Sequence, residues 1–383
     1  MLNLKNILCF LLFFITCHIN AREINNDDAI PKESQQKERS LAEKFLRPDV
    51  RLNAMVDSVY QSMSLKERAA QMIMTASSTS EKLGYPFETA KKMLVNDVAA
   101  NVVFLKGTSV EFKQEVKELN QMRALKKELK PLFACDCEPT LMPGKWTDIT
   151  GIKPASEQKD ASSVTENTEK INAVIKRTGV QLNFAPVVDI ALNKSVINKR
   201  SFGSDAKTIV ELSKQFVETS QNAGIGATLK HFPGHGAVKG DSHKQSVFID
   251  GQLTELATFK TIIQSQEAPV AVMIGHIVVK NNAKYNTNGL PSTLSRTIVT
   301  DLLRNELKFK GIITTDALNM EAAAKVPDAD WKSVQAGVDL VLMPKDAAGL
   351  NKKIVAALSA NDAMSKQIET SVKRIIRYKL LTQ

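Results

Sequence analysis

The residues best equipped for chemistry fall in one short stretch and at one isolated position. Lys230-His231-Phe232-Pro233-Gly234-His235-Gly236 is followed, four residues on, by Asp241-Ser242-His243. Pro233 together with Gly234, Gly236 and Gly240 forbids a helix, so His231 and His235 cannot form the i, i+4 pair that grips zinc on a helix face. The stretch is therefore a loop. Asp241 and His243 lie two residues apart, close enough for the carboxylate to hold one imidazole nitrogen, raise the ring's basicity and leave the other nitrogen for proton transfer. Far downstream, the apolar run Gly311-Ile312-Ile313-Thr314-Thr315 ends in Asp316. A carboxylate held there can attack an electrophilic carbon; its other reading is a cap for a helix starting at Ala317.

Groups so distant in sequence meet only if the fold gathers them. Short β-branched apolar runs recur at Gln71–Met74, Asn101–Leu105, Leu132–Cys135, Gln181–Val188, Gly226–Lys230, Val270–Ile274, Gly311–Thr315 and Asp339–Met343. Segments of helical periodicity separate them: Glu81–Val95, Val110–Leu129, Val164–Thr178, Ala206–Asn222, Leu253–Gln266, Arg296–Leu307 and Met320–Gln335, with Lys345–Ser359 and Met364–Leu381 closing the chain. Ser64-Leu65-Lys66-Glu67 has the spacing of a capping box, which starts a short helix before the first strand. Strands alternating with helices imply a parallel α/β sheet with right-handed crossovers, and eight strands favour closure into a (β/α)8 TIM-type barrel. The rival, an open doubly wound sheet, is expected to carry a glycine-rich phosphate loop, and neither G-x-G-x-x-G nor a Walker sequence is present.

In such a barrel the chemistry lies at the carboxyl ends of the strands. The unusual polar residues fall there: Asp136 and Glu138 after strand three, Asp189 after four, Lys230 and His231 at five, His276 at six and Asp316 at seven. A second chemistry fits part of this set, a metal-dependent amidohydrolase with His231, His276 and Asp316 around a divalent ion. Against it, strand one ends Met72-Ile73-Met74-Thr75-Ala76 and offers no His-x-His to complete the ligand set. A barrel kept only as a binding scaffold is a third reading, because fold alone does not establish turnover.

Composition narrows the class. With 43% hydrophobic and 24% charged residues the chain supports an ordinary core. The excess of basic residues gives a net charge of +10, but they are scattered and only 5% of residues are aromatic, so no basic, aromatic-lined platform for nucleic acid emerges. At the N-terminus, Lys5 precedes the apolar run Ile7 to Thr16, too short to span a bilayer, and Ile19-Asn20-Ala21 supplies a small residue for cleavage. Residues 1–21 thus form a secretory signal peptide, and the mature chain is exported, to the periplasm or outside the cell. The competing assignment is a lipid anchor on Cys17, although Thr16 is a poor residue to precede it. Residues 22–50 are polar, low in aliphatics and expected to be a poorly ordered leader, with the folded domain running from 51 to 383. Beyond the signal only Cys135 and Cys137 remain, which makes no disulfide framework; they are expected as two buried small residues flanking Asp136.

KHFPGHG with DSH downstream resembles the N-terminal domain of the family 3 glycoside hydrolases, in particular the single-domain β-N-acetylglucosaminidase branch. Matching segments are NFAPVVDI (Asn183 to Ile190), VINKRSFGSD (Val196 to Asp205), PSTLSRTIVTDLLRNELKFKGIITTDALNM (Pro291 to Met320) and AGVDLVLMP (Ala336 to Pro344), together covering the chain from about Arg51 to its C-terminus. The resemblance implies an exo-acting, retaining hydrolase of terminal β-linked N-acetylhexosamine that needs no metal or other cofactor. Its partner is a carbohydrate, an N-acetylglucosamine-containing glycan or cell-wall fragment. It makes Asp316 the nucleophile, His243 the general acid/base and Asp241 its dyad partner, and it sets Asp136, Arg200, Lys230 and His231 against the sugar. A phosphorylase using the same site is a close variant, since an acid/base without a repelling charge lets phosphate replace water. The pattern is broken after strand three: the family usually has glycines after the Asp-x-Glu and an arginine a few residues on, whereas Glu138 is followed by Pro139-Thr140-Leu141-Met142-Pro143-Gly144-Lys145-Trp146. Lys145 is the candidate to replace that arginine. The sandwich domain that often carries an acid/base glutamate in two-domain β-glucosidases of the family is not expected here, which agrees with the His243–Asp241 assignment.

Overall fold

The computed structural model describes residues 39–126, 128–192, 196–238 and 246–383. The segment expected to be a signal peptide, with Cys17, and the residues Asp241 and His243 lie outside the described residues. Among the described residues there are ten strands: β1 (Ile73–Ser77), β2 (Asn101–Phe104), β3 (Leu132–Cys135), β4 (Leu182–Asn183), β5 (Gly226–Phe232), β6 (Val247–Asp250), β7 (Ala271–Ile274), β8 (Ile277–Lys280), β9 (Ile312–Thr315) and β10 (Val341–Leu342). Eight form one parallel sheet in the order β10-β1-β2-β3-β4-β5-β7-β9. Its two edges meet: Thr315 N–H donates to the Leu340 carbonyl at 3.1 Å, and Asp339 N–H to that of Ile313 at 2.8 Å. The expected (β/α)8 barrel is the observed architecture. The two remaining strands, β6 and β8, pair in parallel as a small second sheet that the sequence reading does not contain.

Alternation along the strands sorts side chains to two sides. One set (Ile73, Val102, Phe104, Phe133, Cys135, Leu229, Val272, Ile313) packs with the surrounding helices. The other (Met74, Ala76, Val103, Leu132, Ala134, Leu182, Ala271, Met273, Ile312) forms the barrel interior and joins Phe45, Ile375 and Tyr378. Asp136 follows Leu132 and Ala134 at the same period, Lys230 follows Gly226 and Thr228, and Asp316 follows Ile312 and Thr314. These three polar residues therefore continue the inward-facing rows past the end of the apolar core.

The opposite end of the barrel is closed by the C-terminal helix Ala363–Thr382. Tyr378 donates its hydroxyl to the Gln181 carbonyl at 2.6 Å and accepts the Gly226 N–H at 3.1 Å. The Phe45 ring meets Tyr378 edge-on at 5.4 Å, and Arg377 donates to the Phe45 carbonyl at 2.8 Å and to the Lys44 carbonyl at 3.2 Å. This corrects the reading of residues 22–50 as a leader. Their last part folds, because Ser40 and Glu43 form a capping box for helix Leu41–Leu46, whose Leu41, Ala42 and Phe45 are buried; a second helix, Val50–Ser62, already begins at residue 50.

Other departures have local causes. The expected strand Gln181–Val188 shrinks to β4, since Pro186 has no N–H for a ladder. Met320–Gln335 splits into Glu321–Ala324 and Ala329–Ala336 around Pro327. Glu81–Val95 becomes a 3₁₀ turn followed by a helix that starts at Phe87 after Pro86. Thr297–Glu306 is wound as a π-helix. The capping box at Ser64 and Glu67 is present and opens helix Leu65–Gln71. Cys135 and Cys137 are free and buried, as expected.

Candidate active site

The carboxylate of Asp136 sits between two ammonium groups. Its Oδ1 contacts Lys230 Nζ and its Oδ2 contacts Lys145 Nζ. Lys230 projects from β5 and is almost fully buried, also lying 3.8 Å from Glu138 Oε1. Lys145 ends the short helix Met142–Lys145, a turn fixed where Gly107 N–H donates to the Lys145 carbonyl at 3.0 Å and Thr147 N–H to that of Gly107 at 2.9 Å. Burial works against a charge on Asp136, yet Lys145, Lys230 and Arg200 hold its carboxyl far below the usual carboxylate range. Arg200 leaves the 3₁₀ turn Asn198–Arg200 and donates its Nε to Glu138 Oε1 at 2.9 Å. Asp136, Arg200, Lys230 and Lys145 are thus brought into one network.

A second network organises the loop after β5. Asp189, fully buried, accepts the His231 backbone N–H at 3.1 Å and the His235 N–H at 2.8 Å, and its Oδ2 lies 2.7 Å from His231 Nδ1. Burial opposes the Asp189 charge, but His231 above all, then His235, bring its carboxyl below the ordinary value. The rings of His231 and His235 stand 5.9 Å apart. Burial and then His231 depress the His235 pKa, against the pull of Asp189 and Asp316. A second buried carboxylate, Glu255, accepts the N–H groups of Ile190 at 2.7 Å and Ala237 at 3.0 Å. Gly234 and Gly236 are required by this packing: a Cβ on the first would lie 2.6 Å from Glu255 Cβ, and on the second 1.9 Å from the Ile190 carbonyl oxygen. Glu255 was invisible to pattern reading, as an acidic residue opening a helix is commonplace. From sequence, Asp189 is placed at a strand end without a partner, and His276 is considered only as a metal ligand beside His231 and Asp316.

Asp316 follows β9 directly. Its N–H donates to the Ile274 carbonyl at 2.9 Å, and its Oδ1 accepts the Ala317 N–H at 2.8 Å. No helix starts at Ala317; the next begins at Glu321, so the helix-cap reading is corrected. The Ala317 carbonyl is held in turn by His276 Nε2 at 2.9 Å, while His276 Nδ1 lies 2.8 Å from Thr293 Oγ1. A nitrogen facing a carbonyl must carry the proton. Both ring nitrogens of His276 are therefore committed to neighbours, which takes away the metal-ligand role considered for His231, His276 and Asp316. Among the described residues no group of three or more His, Cys, Asp or Glu is disposed to hold a metal ion.

What this assembly offers chemically is a carboxylate at the lip of the barrel, a network of ammonium, guanidinium and carboxylate groups able to hydrogen-bond several hydroxyls, and an oriented imidazole. The sequence segment with Asp241 and His243 connects to it at Val238 and Val247, both buried against Ile277.

Comparison with known proteins supplies the context. The model of the glycosyl hydrolase family 3 N-terminal domain matches residues 64–378. A beta-hexosaminidase A of Pseudoalteromonas piscicida is 32% identical over 241 residues, covering 56% of this chain and 40% of that protein. A beta-hexosaminidase of Vibrio cholerae serotype O1 is 30% identical over 271 residues, covering 68% of this chain and 80% of the relative. The chain spans about half the length of several curated relatives it matches, between 40% and 60%. Among solved structures, a glycoside hydrolase family 3 beta-N-acetylglucosaminidase from Paenibacillus sp. str. FPU-7 superposes with a TM-score of 0.74 at 26% identity, covering 84% of this chain and 63% of that one.

Proposed function

The chain belongs to the family of the glycosyl hydrolase family 3 N-terminal domain, and on that premise we propose that it is an exo-acting, retaining β-N-acetylhexosaminidase. The observation that carries the reading is the convergence of three inward-facing rows, ending in Asp136, Lys230 and Asp316, at one rim of the barrel. Relatives named as beta-hexosaminidases support the substrate class.

In this reading Asp316 attacks the anomeric carbon and forms a glycosyl ester while the glycosidic oxygen leaves with a proton from His243. Asp241 supports the imidazolium. Water then enters, His243 takes its proton, and the ester is cleaved with net retention. Asp136 and Lys230 hydrogen-bond ring hydroxyls, with Arg200 and His231 completing the sugar's surroundings. The N-terminal signal sends the chain to the periplasm or beyond the cell, where N-acetylglucosamine-containing cell-wall fragments are the natural class of substrate. The mass of the mature N-terminal peptide separates cleavage after Ala21 from lipidation at Cys17.

The test is release of 4-nitrophenol from its N-acetyl-β-glucosaminide by the wild type, Asp316→Asn and His243→Ala. Loss in both variants is expected, with a fluorinated glycoside labelling Asp316 in the wild type. Equal rates in all three chains defeat the assignment. Product analysis with and without phosphate distinguishes hydrolysis from phosphorolysis, and activity in the presence of a chelator tests the absence of a metal requirement.

A further inference from the structure

The loop after β5 is folded around two buried carboxylates that arrive from different elements. His235 and Ala237, two residues apart, send their N–H groups to these carboxylates: the first donates to Asp189, the second to Glu255. Glu255 also accepts from Ile190, the residue after Asp189. It therefore ties the loop after β4 to the loop after β5, which Asp189 alone, sitting within one and binding the other, does only from its own side.

Glu255 does nothing for its own helix. It stands at the N-cap of helix Leu256–Ile263, where a carboxylate ordinarily accepts an N–H of the first turn, yet its side chain makes no such cap. Instead it is almost fully buried. Burial first, and then the adjacent Asp189, push its pKa up to about 7, so the arrangement is costly by itself. An apolar side chain would avoid that cost. What a carboxylate gives, and an apolar group cannot, is simultaneous acceptance of N–H groups from two loops.

Ala237 is the last residue bound in this way before Val238 enters an apolar cluster with Val247 and Ile277. Asp241 and His243 follow within six residues of Ala237. We propose that Glu255 is a positioning residue for proton transfer: by fixing Ala237 to Ile190 it sets the departure point of the chain that bears the acid/base histidine, without touching the sugar. This rests on the assignment of His243 as acid/base given above.

The experiment compares the wild type, Glu255→Ala, Glu255→Gln, Glu255→Asp and His243→Ala on two β-N-acetylglucosaminides, one with an activated leaving group (2,4-dinitrophenyl) and one without (phenyl). Departure of the first needs little protonation; departure of the second depends on it. Glu255→Ala is expected to lower kcat on the phenyl glycoside on the order of ten- to a hundredfold more than on the dinitrophenyl one, with KM within about threefold of wild type for both. His243→Ala should show the same selectivity, and Glu255→Asp should recover part of the loss. Should the alanine variant fail to fold, Glu255→Gln, which keeps one acceptor oxygen, carries the same comparison. Equal losses on both glycosides, or a rise in KM at unchanged kcat, overturn the proposal while leaving the acid/base assignment standing. Absence of leaving-group selectivity in His243→Ala overturns both.

Discussion

Asp189 grips His231 at two points, the backbone N–H at 3.1 Å and the ring Nδ1 at 2.7 Å from Oδ2. A carboxylate only accepts, so Nδ1 carries the proton and in a neutral ring Nε2 is the acceptor. Replacing Asp189 by Asn supplies an amide N–H that can donate to Nδ1 and drive the proton to Nε2. The hydrogen-bonding character of Nε2 is then reversed. Asp189→Asn is expected to lower kcat/KM by about ten- to a hundredfold, the range for loss of a charge-assisted hydrogen bond, with ¹⁵N shifts of the His231 ring reporting the changed tautomer. An unchanged ring spectrum with kcat/KM within twofold of wild type speaks against it.

Lys145 stands where the family pattern breaks, and its contact is with Asp136 Oδ2. In this network Arg200 matches Glu138 and Lys230 matches Asp136, so Lys145 is the surplus cation, and it keeps 30% of its side chain exposed. Two of its three ammonium protons remain for hydroxyl oxygens. Lys145→Met is therefore expected to reduce kcat/KM on 4-nitrophenyl N-acetyl-β-glucosaminide by roughly ten- to a hundredfold. Lys145→Arg should lose less. Deoxy analogues sharpen the measurement: on the one lacking the hydroxyl that Lys145 holds, the methionine variant and wild type should perform alike. A uniform loss on every analogue means the ammonium only steadies Asp136.

The legibility of this chain was uneven in a physically sensible way. All eight barrel strands were visible because apolar β-branched runs buried on both faces leave a compact signal, and Leu132–Cys135 falls where it was expected. The inward row explains why Asp136 and Asp316 could be singled out: each is the polar residue that ends such a run. What stayed hidden depends on tertiary neighbours. Nothing local says that Glu255 will abandon its helix to bind Ile190, or that His276 will use both nitrogens on Thr293 and Ala317. Helix Leu41–Leu46 carries a local signal, the Ser40–Glu43 capping box, but its burial does not show locally, since its support comes from Arg377 and Tyr378 at the far end of the sequence.

The end of the barrel away from the candidate site should govern stability without touching catalysis. Asp339, fully buried just before β10, accepts from Arg304 Nη2 at 2.6 Å and the Ile313 N–H at 2.8 Å, and its Oδ1 contacts Arg374. Burial lowers the Arg304 pKa to about 10 even with Asp339 opposing it. Asp339→Ala leaves two guanidinium groups facing each other without their shared anion. A loss of about 3–5 kcal/mol is expected, as for removal of one partner from a buried ion pair, measured by urea unfolding. At temperatures where the variant stays folded, kcat/KM should match wild type; a selective fall in kcat would connect this cluster to the site.

Glu115 offers a test in which pH is the variable. It lies on the inner side of helix Ser109–Leu125 and accepts the Ser77 hydroxyl at 2.6 Å. Burial first, then the carboxylates of Glu111 and Glu118, raise its pKa to about 7, with the Ser77 hydrogen bond pulling the other way. The folded chain thus binds this proton more tightly than the unfolded chain, whose value is near 4.5. Its contribution to stability is complete below pH about 4.5 and is lost as pH rises through about 7, at most about 3 kcal/mol in all. Glu255 shifts the same way, so replacing Glu115 removes only part of the total pH dependence. Glu115→Gln has no such proton to lose. Its unfolding free energy minus that of wild type should grow more positive from pH 4.5 to pH 8, read from urea transitions at several pH values. A difference that stays constant over that interval would show that Glu115 ionises alike in the folded and unfolded chains.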